Sequence, residues 1–536
     1  MPPSTTSTAS SSADPKRWLA PVALAALVLL FAWRSFRTHR VFNDTADEAV
    51  HIACGLEVFE RGRYTLEAQH PPLARVVLAA LPYGAGLRLE SPSQSKQPKW
   101  TSAGREFYWR TLSLARLGNL LFVPFLLAYV YLWGQQLYGR PAAIAAAALV
   151  SLSPNLLAHA SLATLDFAAA TTIFISSYYL WRWSRRPGPA PALAAAAAFS
   201  IAVLTKFSAL FVLPLIGAAL FALARRWPGR SAAAAFAAAV LVLVWGAYGF
   251  EAGPLPPPQF ERPNPITLDG AFLPAPRLVR GVLDVLDHNA EGHHCYLLGR
   301  LSHRGWWYYF PVVVAVKTTL PLLLLAALAL FRGPPLALAL PPAILLAVAM
   351  TGNLNLGVRH ILALYPFLGL LAAGLFTGPR ALMILAGVLA GWHAAESLRA
   401  HPDYLPYFNQ IARGHEERFL LDSNLDWGQD LERLRLYLEQ NRVESVYLSY
   451  FGRADPARLG IRGIRPLPPD LRPAGWVAVS KAHVAGLALD GYNLGWLRAH
   501  TPAARIGKSI LVYYFRTSAE SARRPPARRT GPPPPA

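Results

Sequence analysis

The chain has 536 residues, 54% of them hydrophobic and only 15% charged, and a mean hydropathy of +0.29. Soluble domains carry roughly 25% charged residues, so a string of ordinary soluble domains is excluded, as are a disordered chain and a disulfide-stapled secreted domain. Lys and Arg number 51 against 30 Asp and Glu, a net charge of +21. The arginines stand at the ends of apolar runs, which points to anionic headgroups and membrane insertion, not to nucleic acid.

Residues 1–17 are polar and then basic, and are expected to form a disordered cytoplasmic N-terminus. The first apolar run, from Trp18 to Trp33, is followed by Arg34, Arg37 and Arg40 and reads as an uncleaved anchor. Further spans are expected near 111–134, 141–157, 164–182, 191–206, 207–224, 231–250, 308–331, 335–350, 358–376 and 380–397, about eleven in all for a span of about 20 residues. Residues 73–87 are too short for a confident crossing and read as a helix on the outer surface. Arg140, the Arg182, Arg185 and Arg186 group, the Arg225, Arg226 and Arg230 group, Arg332 and Arg380 then fall in cytoplasmic loops. The expected fold class is an all-α polytopic membrane bundle over 18–399, with external loops at 37–108 and 251–307 and a small external α/β domain at 400–519. In that domain 430–440 has helical periodicity and 445–451, 476–482 and 509–515 read as strands. Its separate core makes it dispensable for insertion. Residues 520–536, rich in Arg and Pro, are expected to be disordered.

The first external loop opens with DTADEAVHIACG at residues 44–55. Asp47, Glu48 and His51 can share a helical face, because residues three and four apart do. Two carboxylates beside a histidine can supply a base or a metal ligand; the plainer reading is a solvated acidic loop that caps a helix.

The text around those residues bears a family likeness. The pattern DE-x-x-H-x-x-x-G, followed by His70-Pro71-Pro72-Leu73-Ala74-Arg75, resembles the protein O-mannosyltransferases and the bacterial lipid-A aminoarabinose transferases, in glycosyltransferase family 39 and its neighbours within the superfamily of C-type membrane fold. Arg75 stands where that family usually has Lys. Arg116 in ARLGN, Asp166 opening a helix, Lys206 in TKFS, residues 296–321, 354–367 and 423–431 continue the likeness, which runs from about Val41 to about Gln440.

The resemblance implies an inverting transfer of a sugar from a polyprenyl-phosphate donor to an acceptor hydroxyl on a protein, a lipid or a glycan, at the outer face of the cytoplasmic membrane. Asp47 would be the general base, with Glu48 and Asp166 as further catalytic carboxylates and Glu48 also able to hold a divalent metal; no cofactor is obligatory. His51, His70 and His360 would shape the site. A departing phosphate gains charge and needs cations; Arg116, Lys206 and Arg359 are the candidates. Three of these residues have a plainer reading, since Lys206 can snorkel and Arg359 can anchor to headgroups, and Asp166 can simply begin an interfacial helix. The aromatic residues Trp306 to Tyr309 read as an interfacial belt or as part of a sugar site. His293 and His294 are adjacent, which does not suit one metal. The competing functions are a transporter or flippase of a lipid-linked substrate, which needs polar residues at several depths, and a membrane scaffold.

Topology is directly testable. Cysteine labelling is expected to place Ser95 and Ala536 outside and Arg186 and Arg226 inside; an interior C-terminus would show that 73–87 crosses.

Overall fold

The computed structural model of the protein describes residues 19–89, 104–258, 268, 270–468, 470–489 and 494–516. The two termini expected to be disordered, together with Ser95 and Ala536, lie outside the described residues.

Helix α1 (Leu19–Phe36) leads through an irregular loop to α2 (Glu48–Arg61) and α3 (Pro72–Gly84). Next come α4 (Arg105–Leu120) and α5 (Phe122–Tyr138), then α6 (Arg140–Ser151) and α7 (Pro154–Ala160), α8 (Asp166–Arg185), α9 (Pro189–Thr205), α10 (Ser208–Ala224) and α11 (Arg230–Ala247). The second loop carries the hairpin β1 (Ala252–Pro254) and β2 (Phe272–Pro274), α12 (Pro276–Glu291) and the hairpin β3 (Cys295–Leu297) and β4 (Arg300–Ser302). Helices α13 (Tyr309–Lys317), α14 (Leu320–Phe331), α15 (Leu336–Met350), α16 (Leu364–Ala373) and α17 (Arg380–Arg399) complete the bundle.

All eleven expected spans contain helix, but they are not alike. Among the described residues four helical stretches are long and apolar enough to cross a bilayer unaided, α4 and α5 counting as one, and two bent pairs raise that to six. Pro154 and Pro321 stand at the first and second positions, respectively, of the second helices of those pairs, α6–α7 bent by 62° and α13–α14 by 115°. Proline cannot donate to the helix ladder, so breaks gather there. Helix α8 fails on hydropathy for a different reason: it is buried along most of its length, so its Ser and Thr residues meet protein. The chain is a multi-pass membrane protein, and the count of eleven crossings is a reading beyond these six. Helix α3 has 13 residues, ~20 Å at 1.5 Å per residue, short of a ~30 Å hydrocarbon core. It packs on α2 and α4, and two glycines allow the approach. A Cβ on Gly55 would sit 2.1 Å from the Arg75 carbonyl oxygen, and one on Gly118 would sit 2.7 Å from that of Val77.

The tail contains α18 (Glu416–Phe419), α19 (Leu431–Gln440), β5 (Val446–Ser449), β6 (Ile464–Pro466), β7 (Gly475–Ser480), α20 (Lys481–Val484), β8 (Ala504–Ile506) and β9 (Ile510–Phe515). The strands form one mixed sheet in the order β6-β5-β7-β9-β8, with β5 parallel to both neighbours and β9 antiparallel to both of its own. The expected helix and three strands are present. The two edge strands, three residues each, are too short to show a period of two.

The boundary expected at residue 400 does not mark a break in packing. Tyr404, Leu405, Tyr407, Phe408, Leu421, Leu425 and Trp427 belong to the same core as the membrane helices. At the α13–α14 break, Lys317 is fully buried, and its Nζ donates to the carbonyl oxygens of Leu405 at 2.8 Å and Asn424 at 2.7 Å. Asn409 donates back to the carbonyls of Ala315 and Thr318. A broken helix leaves backbone carbonyls without partners, and in lipid each one is costly; the tail supplies the partners. Truncation after Arg399 is therefore expected to lose the protein during detergent extraction. A monodisperse truncated bundle would show that the tail only rests on it.

Candidate active site

The loop between α1 and α2 is held from beneath. Arg116 on α4 is fully buried and bonds Glu48 through two nitrogens, each at 2.8 Å. Its remaining donors reach the carbonyl oxygens of His39 at 2.6 Å, Phe42 at 2.8 Å and Asn43 at 3.0 Å. Glu48 is equally buried and also accepts from Thr45 and from the Ala163 backbone N–H at 2.7 Å. A guanidinium has five N–H donors and a carboxylate about four lone-pair sites, and nearly all are used. The pair thus stabilises the loop. This corrects two expectations: Arg116 has no donor left for a phosphate, and Glu48 has no oxygen left for a proton or a metal. Among the described residues no three His, Cys, Asp or Glu side chains gather as a metal site.

Asp47, one residue earlier, is the N-cap of α2 and points elsewhere. Its Oδ2 accepts from Arg359 at 2.7 Å, and 27% of its side chain remains accessible. Burial pushes the Asp47 carboxyl up, but Arg359 and Arg453 outweigh it and hold the group below the usual carboxylate range. Asp166 begins α8, and Lys206, in the break between α9 and α10, bonds it at 2.6 Å. Asn119, three residues after Arg116, donates to the carbonyls of His159, Leu162 and Thr164 and fixes the turn ahead of Asp166. One face of α4 therefore positions both acidic residues.

The histidines are neutral supports. Arg75, fully buried, pairs with Glu67, bonds the Tyr64 hydroxyl and donates from Nε to His51 Nδ1 at 3.1 Å. That bond makes Nδ1 an acceptor and leaves the ring proton on Nε2. Burial, then Arg75, drives His51 well below its ordinary value. His70 lies 5.5 Å from His51, ring to ring, and burial, with Lys206 next, pulls it down to about 4. Arg359 lies in a 3-10 turn, Val358–Ile361, that Asn424 fixes through the Val358 N–H, and its guanidinium covers the Trp427 ring at 4.5 Å. His360 stacks on Phe310 at 6.4 Å.

The structure thus brings Asp47, Asp166, Lys206, Arg359, His51, His70 and His360 into one charged cluster. It adds Trp427, inside a motif already singled out, and Arg453, which no sequence pattern marked. Lys317, whose partners are backbone carbonyls, stands apart from this cluster. His293 Nδ1 lies 3.3 Å from His288 Nε2.

Residues 24–248 match the protein family described as dolichyl-phosphate-mannose-protein mannosyltransferase. Among solved structures, ArnT from Cupriavidus metallidurans bound to undecaprenyl phosphate is similar over 93% of this chain and 98% of that one, at 14% identity and a TM-score of 0.51. The chain resembles the C-type membrane glycosyltransferases. The apo state of the same ArnT gives 15% identity and a TM-score of 0.48, with the same coverage. No curated protein matches significantly. The match to the mannosyltransferase family spans Asp47, Arg116, Asp166 and Lys206, and the ArnT likeness is a likeness of fold.

The Glu48–Arg116 pair gives the sharpest test of this arrangement. Arg116→Met strands a buried carboxylate and is expected to cost about 3–5 kcal/mol, the penalty of breaking a buried pair. Thermal unfolding in detergent measures it. A variant as stable as the wild type that only binds donor less well would return Arg116 to the phosphate.

Proposed function

We propose that the chain is an integral-membrane glycosyltransferase that moves a sugar from a polyprenyl-phosphate donor to an acceptor hydroxyl on the outer face of the cytoplasmic membrane. The observation that carries this reading is the convergence of two carboxylates and two cations, Asp47 with Arg359 and Asp166 with Lys206, from four distant parts of the chain. The fold shared with a protein whose structure holds undecaprenyl phosphate supports the choice of donor. The external placement rests on charge. Helix α8 runs 20 residues from Asp166 to Arg182 and Arg185 in its last turn, ~30 Å at 1.5 Å per residue, the thickness of a hydrocarbon core. Basic residues favour the cytoplasmic end.

Asp47 takes the proton of the acceptor hydroxyl. The oxygen attacks the anomeric carbon from the face opposite the phosphate and inverts it. The bond from carbon to phosphate oxygen breaks, and its electron pair stays on the polyprenyl phosphate. Lys206 and Arg359 meet the charge that grows there. Both cations are paired with carboxylates, so an incoming phosphate must draw them away. When Arg359 turns to the phosphate, Asp47 loses the partner that keeps it weakly basic. Donor binding thereby frees the base. The acceptor can be a protein, a lipid or a glycan, and the sugar a hexose or a pentose.

Radiolabelled transfer in reconstituted membranes tests this. Asp47→Asn keeps the shape of the loop and loses the base; turnover is expected to fall at least ~100-fold, the lower end for a general base, with donor binding kept. Normal transfer would remove Asp47 from the chemistry. Lys206→Met is expected to weaken transfer roughly a hundredfold or more, as for one lost charge-stabilising donor. A further readout is pH. The base must be ionised, and Arg359 holds it so; Arg359→Met leaves burial less opposed and is expected to move the acid limb of kcat/KM to higher pH. An unmoved limb would mean that another group titrates.

A further inference from the structure

His159 lies in the last turn of α7 and is fully buried, yet neither of its ring nitrogens has a hydrogen-bond partner among the described residues. Its backbone is fixed, because its carbonyl accepts from Asn119. Its ring lies 6.3 Å from that of Trp427, the residue that carries Arg359 at 4.5 Å. The charges that act on it are Asp166, Arg359, Lys317 and Lys206, so it adjoins the cluster described above. Arg359 Nε is also buried without a partner among the described residues. Buried polar atoms in folded proteins are almost always paired, and an unpaired one is costly. Two such groups beside the cations of one site mark a place where a ligand rich in acceptor oxygens belongs.

We infer that His159 donates a ring N–H to the phosphate of the lipid-linked donor, as an uncharged ligand beside Lys206 and Arg359. The inference rests on the glycosyltransferase reading. An imidazole adds a hydrogen bond without a further full charge to desolvate, and the bond strengthens as the carbon–oxygen bond breaks and charge collects on the phosphate. His159 lies just ahead of the α7–α8 turn, whose far end is Asp166, the partner of Lys206.

Two variants of the full chain test this, with undecaprenyl phosphate as the binding probe and thermal unfolding in parallel. His159→Leu removes the polar atoms at similar volume. It is expected to weaken binding at least about tenfold, the size of one hydrogen bond to a charged group, without lowering the unfolding temperature, because it also removes two unpaired buried atoms. His159→Gln keeps a donor and is expected to bind within about threefold of the wild type. Unchanged binding by His159→Leu, an equal loss in His159→Gln, or an unfolded His159→Leu would each overturn the inference. Lys206→Met in the same assay separates the two levels. If it too leaves binding unchanged, the donor reading itself fails; if it weakens binding while His159→Leu does not, only the role of His159 fails.

Discussion

The site depends on the buried ion pair between Arg116 and Glu48. Three backbone carbonyls of the α1–α2 loop and one backbone N–H of the α7–α8 turn converge on those two side chains. The pair therefore ties the segment that carries Asp47 to the segment that leads into Asp166. Such a pair is stable only when its remaining donors and acceptors are met, and here the loop backbone meets them. Irregular backbone at the mouth of a membrane bundle is satisfied from within the protein, and it is rigid for the same reason. The tail adds a second clamp: Asn43 is bonded to Gly428 and Leu431, and Lys317 to Leu405 and Asn424.

Around that fixed frame the site holds charges that cancel in pairs. Asp47 with Arg359 and Asp166 with Lys206 are compact pairs with limited exposure, 27% and 13% for the first and 3% and 16% for the second. A lone cation in such surroundings would be poorly solvated, and a lone carboxylate likewise. Pairing solves both problems and leaves a site that an anionic headgroup can enter by exchange instead of by addition. Under the proposed function, the same exchange would couple donor binding to the basicity of Asp47.

Much of this was legible in the sequence. The order of the motifs placed Asp47, Asp166, Lys206 and Arg359 among the candidates, and the apolar runs located the helices. Division of labour was not legible. Asp47 and Glu48 are neighbours with the same chemistry, and only the position of each at the start of α2 decides that one faces the site and the other the α4 guanidinium. Arg116 and Arg359 likewise differ in what surrounds them: backbone carbonyls in one case, a carboxylate and an indole face in the other. The tail misled for a physical reason. Residues 404–427 have no period of 2 or 3.6, so nothing in the sequence tied their apolar side chains to the core of the membrane helices. Arg453, beyond β5, adds its charge to the field at Asp47 with no local pattern at all.

The central claim is that the donor phosphate takes Arg359 and Lys206 from their carboxylates. A structure of the full chain with a polyprenyl phosphate in the site measures this directly. The account predicts phosphate oxygens within hydrogen-bond distance of Lys206 Nζ and the Arg359 guanidinium, with the 2.7 Å contact between Arg359 and Asp47 opened. A phosphate bound elsewhere, with both pairs still closed, would contradict it.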